Sequence, residues 1–253
     1  MIALVHLAVA ERVATITLDS PHNRNALSRQ LITELRGHLD AAARNADVAV
    51  ILLRSAHRVF CSGADLSEAA QAGTVEWPLQ LVALQRQIAT LPKPVVVELA
   101  GPVRAGGLGI VGAADIVVAA ESATFAFTEV RLGLAPAVVS LSLLARLQPR
   151  AAADVFLSAR TFDAREAARM GVVTRAVPDA ELAGAVGDVL ADLTQAAPPG
   201  LAETKRIVNA DLVGRIDRDG ATVARLSAEL FASPAAREAM VAFLSRATGP
   251  RNS

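Results

Sequence analysis

Residues Lys93-Pro94-Val95-Val96-Val97-Glu98-Leu99-Ala100-Gly101-Pro102-Val103-Arg104-Ala105-Gly106-Gly107-Leu108-Gly109 carry an unbroken apolar run that ends in a loop dense in glycine and proline. The chain resumes with Ile110 and Val111 and reaches a new apolar run at Ile116. This order predicts a buried strand, an irregular turn and a short helix beginning near Gly106. Glycines in such a place let a ligand touch backbone, because no Cβ stands in the way. The free N–H groups of the first helical turn would meet that ligand with partial positive charge. Three readings compete: a tightly packed turn, a dinucleotide-binding loop, and half of an oxyanion hole that needs a second backbone donor from elsewhere. Gly107-Leu108-Gly109-Ile110-Val111-Gly112 does fit G-x-G-x-x-G, with Glu121 and Glu129 downstream. Its position counts against dinucleotide binding, since the first glycine should come directly off the strand and the helix would be nearly over at Asp115.

The rest of the chain narrows the choice. With 253 residues it can bury a substantial core, as one large domain or as a domain with an appendage. Its 25 basic and 25 acidic side chains cancel, so nothing in the overall charge draws it to nucleic acid or to a membrane surface. There is no Tyr and one Trp, Trp77, which leaves few stacking platforms for single strands. The single cysteine, Cys61, excludes an intramolecular disulfide and a multi-cysteine metal site and suits a reducing cytoplasm. No signal peptide is evident and no run approaches the ~18 apolar residues of a membrane span, so a soluble cytoplasmic protein is expected.

Around the central stretch, strands and helices alternate, which predicts an α/β layering. Residues 2–10 and 12–18 read as a hairpin. Ser28 is a helix N-cap followed by Leu31, Ile32, Leu35 and Leu39 at helical spacing, and Val48 to Leu53 is an apolar strand. Next comes His57-Arg58-Val59-Phe60-Cys61-Ser62-Gly63-Ala64-Asp65-Leu66, a second loop in which Gly63 permits close backbone approach and Asp65 or Ser67 can cap a helix after it. Cys61 has no His or Asp at a diagnostic position and reads as a small buried thiol. A helix stops before Pro92, preceded by a flap from Gln71 to Pro78 that contains Gly73 and Trp77. Strands over Ile116–Ala119 and Thr124–Phe127 lead to Glu129, placed just past a buried strand where ligands meet such sheets. Its alternatives are a carboxylate at a helix start or a partner of Arg131. Helices follow from Pro136 to Leu147 and after Pro149, then a capping box at Asp163–Glu166 and a strand over Val172–Val177. From Asp179 the pattern is helical throughout, as 180–196, 200–213, 217–231 and 235–247.

Five blocks in order resemble the enoyl-CoA hydratase/isomerase (crotonase) superfamily across nearly the whole chain. They are Asn23-Arg24-Asn25-Ala26-Leu27, Phe60 to Leu66, the central loop through Asp115-Ile116, Phe125 to Gly133, and Ala242-Phe243-Leu244-Ser245-Arg246. The resemblance implies a ββα spiral of two sheets, residues 1–197, and a C-terminal helical region, residues 198–253, that builds a homotrimer or a hexamer. It implies an acyl-CoA thioester as partner, with coenzyme A a part of the substrate, and neither a separate cofactor nor a metal. Position by position, it makes the backbone N–H groups of Ala64 and Gly106 the oxyanion donors and Glu129 the catalytic carboxylate. Arg24, Ala26, Leu66, Gly107, Phe243 and Arg246 become candidate substrate contacts, the last two within reach of a neighbouring subunit.

One departure bears on mechanism. The family's hydratases hold water between two glutamates, and the first of those positions is here Gly109. A hydratase working with Glu129 alone is the first expectation; an enoyl-CoA isomerase and a non-catalytic acyl-CoA binder are the alternatives. Gly109 is expected to open room near the acyl chain.

Overall fold

The computed structural model describes residues 2–68 and 75–248; the Gln71–Thr74 part of the expected flap lies outside them. Strand β1 (Val5–Ala10) pairs antiparallel with β2 (Val13–Leu18). Their two-residue turn places Glu11 and Arg12 at φ 48° and 67°, the left-handed pair that matches the twist of a tight hairpin. Strands β3 (Val50–Ser55), β4 (Val95–Leu99), β6 (Ile116–Ala120) and β9 (Arg175–Val177) extend this sheet in parallel, in the order β1-β2-β3-β4-β6-β9. A smaller sheet joins β5 (Val103–Arg104), β7 (Thr124–Ala126) and β8 (Phe162–Asp163), in that order.

Helices cover both faces of the large sheet, which is why its strands read as continuous apolar runs rather than alternating ones. Within β3, Ile51 and Leu53 join the main core with Leu31, Leu35 and Leu39 of helix α1 (Arg29–Arg44), while Val50 and Leu52 pack on Leu182, Val186 and Val189 of a helix on the far side. Ser28 caps α1 as expected, its Oγ accepting the Leu31 N–H at 3.2 Å. Helix α2 (Glu76–Thr90) precedes β4, and α3 (Gly106–Ala113) follows the central loop with every residue buried. The remaining helices are α4 (Ala137–Leu143), α5 (Pro149–Ser158), α6 (Ala164–Met170), α7 (Leu182–Gln195), α8 (Pro198–Val208), α9 (Ala210–Ala232) and α10 (Pro234–Thr248). At the start of α6 only half of the expected capping box forms. Asp163 accepts the Glu166 N–H at 2.7 Å, while the Glu166 carboxylate turns to Arg160.

The strand expected over Val172–Val177 is confined to Arg175–Val177, and two helix boundaries also differ from those the sequence suggests. The helix after Pro136 ends at Leu143, and Arg146 beyond it turns to bond Gly112 O at 3.3 Å and Asn209 Oδ1 at 2.8 Å. The expected break between 213 and 217 is absent, because Leu212, Ile216, Gly220, Ala224 and Ser227 form one buried stripe along an uninterrupted α9. The break falls instead at Asn209, whose amide is pulled inward to Ala89 O and Asp115 Oδ1 at 3.1 and 2.8 Å.

That inward pull belongs to a buried polar anchor. Lys205 of α8 is 5% exposed and places Nζ 2.7 Å from Asp115 Oδ2, with Ile88 O and Lys93 O at 2.8 and 3.0 Å. Asp115 also accepts the Val95 N–H at 2.7 Å, tying the C-terminal helices to the start of β4. Removing one partner of such a pair strands a buried charge. Lys205→Ala is therefore expected to cost about 3–5 kcal/mol. Arg86→Ala, which breaks the exposed Arg86–Asp217 pair, should cost less than about 1 kcal/mol. Urea unfolding of both variants checks this, and equal losses would contradict it.

Candidate active site

Two loops from distant parts of the chain are stitched together by backbone. Asn25, held at φ 54°, donates its amide to Ser55 Oγ, Val59 O and Phe60 O at 2.8–3.1 Å and accepts the Ser20 N–H at 2.7 Å. Leu27 N–H donates to Gly63 O at 2.8 Å and Ser62 N–H to Arg24 O at 3.1 Å. These bonds fix the strand-like stretch that presents Ala64. Gly63 sits at φ +101°, a conformation that side-chain-bearing residues rarely adopt.

The central loop docks on this stretch from the other side. Phe60 N–H donates to Pro102 O at 3.0 Å and Arg104 N–H to Cys61 O at 2.9 Å. A Cβ on Gly107 would lie 2.7 Å from Cys61 Cβ and 2.9 Å from its sulfur, so only glycine allows the loops to close this far. Between them Ala105 takes φ 45° and ψ −120°, a strained backbone held by its N–H bond to Ala126 O at 3.1 Å. The outcome is a convergence of donors. Ala64 N lies 3.7 Å from where a Cβ on Gly106 would stand, and Gly106 N lies 3.7 Å from where one on Gly63 would stand. Among the described residues neither N–H has a hydrogen-bond acceptor, so both remain free to meet a ligand oxygen.

Glu129 completes the group. It opens the 3-10 turn Glu129–Leu132 two positions after buried Phe127, and it lines the same cavity as Ala64 and Gly106. The residue faces the cavity, yet its Oε2 is shut off from solvent and accepts no hydrogen bond from any described residue. Burial pushes its pKa up to about 7. Arg131 also lines the cavity but forms no ion pair with Glu129 among the described residues, which removes that alternative. Such a carboxylate sits between proton donor and acceptor near neutral pH. Cys61, by contrast, is wholly buried and its thiol is pushed up to about 12, so it packs rather than reacts.

The cavity measures about 800 Å³. Arg24 and Leu66, two of the expected contacts, line it. Ala26 and Gly107 do not; both are buried in the joined loops and act by shaping them. Phe243 and Arg246 fall in α10, where their side chains lie outside the described residues. The expectation about Gly109 is overturned. Its missing Cβ opens no room, because that position lies 3.2 Å from Gln85 Cδ, 3.3 Å from Gln85 Nε2 and 3.3 Å from Val139 Cγ1. Among the wall residues not singled out as contacts from the sequence are Arg104 and the edge-to-face pair Trp77 and Phe231, whose centroids are 6.1 Å apart. Phe231 gave no local signal, since only the packing of α9 on α2 brings it there. No group of three or more His, Cys, Asp or Glu side chains among the described residues is placed to hold a metal ion. No helix among them is long and apolar enough to cross a membrane.

Comparison with known proteins identifies the family and the fold. A family model described as enoyl-CoA hydratase/isomerase matches residues 8–250. The crystal structure of an enoyl-CoA hydratase from Mycobacterium avium superposes with a TM-score of 0.90 at 43% identity, covering 97% of this chain and 98% of that one. Another enoyl-CoA hydratase structure, from Mycobacterium avium subsp. paratuberculosis, gives 0.88 at 29% identity with both chains fully covered. A curated relative from Rhodobacter capsulatus named "Probable enoyl-CoA hydratase" is 33% identical over 246 residues, 96% of this chain and 95% of its own. The fold is crotonase-like. The chain belongs to the enoyl-CoA hydratase/isomerase family.

The raised pKa of Glu129 makes a stability prediction. A carboxyl whose folded pKa lies near 7 rather than 4.5 favours folding below pH 4.5, and that contribution is lost as pH rises through 7. Glu129→Gln escapes this loss. Its stability relative to the parent should therefore rise between pH 5 and pH 8 by about 3 kcal/mol at most. Urea unfolding at the two pH values checks it, and a difference independent of pH would contradict it.

Proposed function

We propose that the protein hydrates a 2-enoyl-CoA thioester, with Glu129 as its single catalytic carboxylate. The observation that carries this reading is the convergence of two unengaged backbone N–H groups and one buried, near-neutral carboxylate on one cavity. In the reaction, ionised Glu129 takes a proton from water as the water oxygen bonds to C3 of the enoyl group. The C2–C3 π electrons move toward the thioester, and the enolate oxygen that results accepts hydrogen bonds from Ala64 and Gly106 N–H. Glu129 then returns its proton to C2, so the product carries both hydrogens and the oxygen of one water. Each fixed donor of this kind stabilises the enolate by about 3–4 kcal/mol.

Arg24 at the cavity wall suits a phosphate of coenzyme A, and the family resemblance supports assembly through the C-terminal helices into a trimer or hexamer. The same carboxylate could instead move a proton between C2 and C4 of a 3-enoyl thioester. Mass spectrometry in heavy-oxygen water, against short, long, branched and aromatic 2-enoyl- and 3-enoyl-CoAs, separates the reactions. The expected result is label in the product with the parent protein and none with Glu129→Gln, which still binds. Double-bond migration without label would replace the hydratase reading by the isomerase, and binding without any product would replace it by a non-catalytic acyl-CoA binder.

A further inference from the structure

Ser227 stands apart from the other buried polar side chains. Ser20 donates to Asn23 Oδ1, Ser28 accepts the Leu31 N–H, and Ser142 donates to Gly109 O. The buried amides and Lys205 donate to backbone carbonyls. Ser227 is 6% exposed, yet its hydroxyl makes no hydrogen bond to any described residue. A hydroxyl inside a helix ordinarily returns to the carbonyl one turn back, as those of Thr33 and Thr90 do here. A polar group left alone in apolar surroundings is costly unless something else bonds it.

The packing of α9 shows where that partner would come from. A Cβ on Gly220 would lie 2.9 Å from Val82 Cγ1, while Phe231 meets Trp77 edge to face, so α9 runs antiparallel along α2. Ser227 falls between those two contacts, one turn before Phe231, and lines the cavity together with Phe231, Trp77 and Leu81. Leu81 carries this wall to the catalytic donors, since its Cδ2 lies 3.6 Å from where a Cβ on Gly106 would stand. The wall is aromatic and aliphatic, and the Trp77 N–H is already spent on Leu27 O at 2.9 Å. The unpartnered buried oxygens sealed from solvent belong to Gln80, Gln85 and Glu129. Ser227 Oγ is not one of them, and the space it opens onto is the cavity it lines.

We propose that Ser227 is a specificity-determining residue that donates its hydroxyl hydrogen to an oxygen borne by the acyl chain. The substrate class is then a 2-enoyl-CoA with a carbonyl or hydroxyl oxygen beyond the reacting carbons, rather than a plain hydrocarbon chain. The apolar wall from Leu81 to Phe231 takes the carbon skeleton, and Ser227 supplies its polar contact. This deepens the reading above and rests on its acyl-CoA ligand.

The test is calorimetric titration of the parent and Ser227→Ala with matched pairs of saturated acyl-CoAs. One member of each pair is a plain chain, and the other carries a carbonyl in place of one methylene, at successive positions beyond C4 along the series. Saturated chains cannot be hydrated, so the readout does not depend on the chemistry of Glu129. The parent is expected to bind the oxygen-bearing member about 3- to 10-fold more tightly at the position that reaches Ser227, and Ser227→Ala to bring that ratio to about one. A change in cavity shape or in folding, followed by thermal unfolding, moves both members of a pair alike and leaves the ratio. A parent without preference at any position, or a preference that survives in Ser227→Ala, overturns the proposal. If the preference depends on Ser227 while no enoyl counterpart gains labelled oxygen, the assignment stands and the hydratase reading falls. If the parent binds no acyl-CoA, both fall.

Discussion

The contact between the backbones of the 60–64 and 101–107 loops is the constraint on which the rest depends. Arg104 N–H to Cys61 O and Phe60 N–H to Pro102 O hold the two loops edge to edge, and Gly107 lets them close against Cys61. The consequence is electrostatic. Two N–H groups are left without protein acceptors at the point where the loops meet, in a cavity lined chiefly by apolar side chains. In that setting a fixed dipole acts more strongly than it would in water, and it needs no rearrangement when charge develops on a ligand oxygen. The strained Ala105 is part of the same device, since its unusual backbone turns the chain from β5 into the first residue of α3.

Charge in the cavity is sparse and asymmetric. Glu129 is its single acidic side chain among the described residues, while Arg24, Arg104 and Arg131 reach the wall. Arg104 spends its hydrogen bonds on the neutral oxygens of Val103 and Thr124, and half-burial holds its pKa below the usual range. These cations do not lower the pKa of Glu129, because desolvation dominates and carries it up to about 7. A lone carboxylate near neutral pKa can accept a proton and return it within one turnover. A two-carboxylate site divides those roles; here one group would take both.

Much of this was legible in the sequence where the controlling physics is local. Ser28 and Asp163 cap their helices because an N-cap needs only a side-chain oxygen and the next few N–H groups. The glycine loops and the placement of Glu129 past a buried strand were visible as composition and order. The features that stayed hidden depend on contacts between segments far apart in the chain. Gly109 suggested open space, and the space is closed by Gln85, 24 positions earlier, through the packing of α2 on α3. The helical pattern suggested a gap between 213 and 217, yet the buried stripe from Leu212 to Ser227 keeps α9 continuous. Asn209 broke the helix instead, drawn in by Asp115, which is 94 residues away.

In the proposed reaction Ala64 and Gly106 N–H polarise the thioester carbonyl whether or not Glu129 can act. The most direct test is the carbon-13 resonance of a carbonyl-labelled 2-enoyl-CoA bound to Glu129→Gln at saturation. The account predicts a downfield displacement from the free thioester, the signature of a carbonyl drawn toward the enolate by two hydrogen bonds. A resonance at the position of the free thioester, with binding shown to be complete, would contradict it.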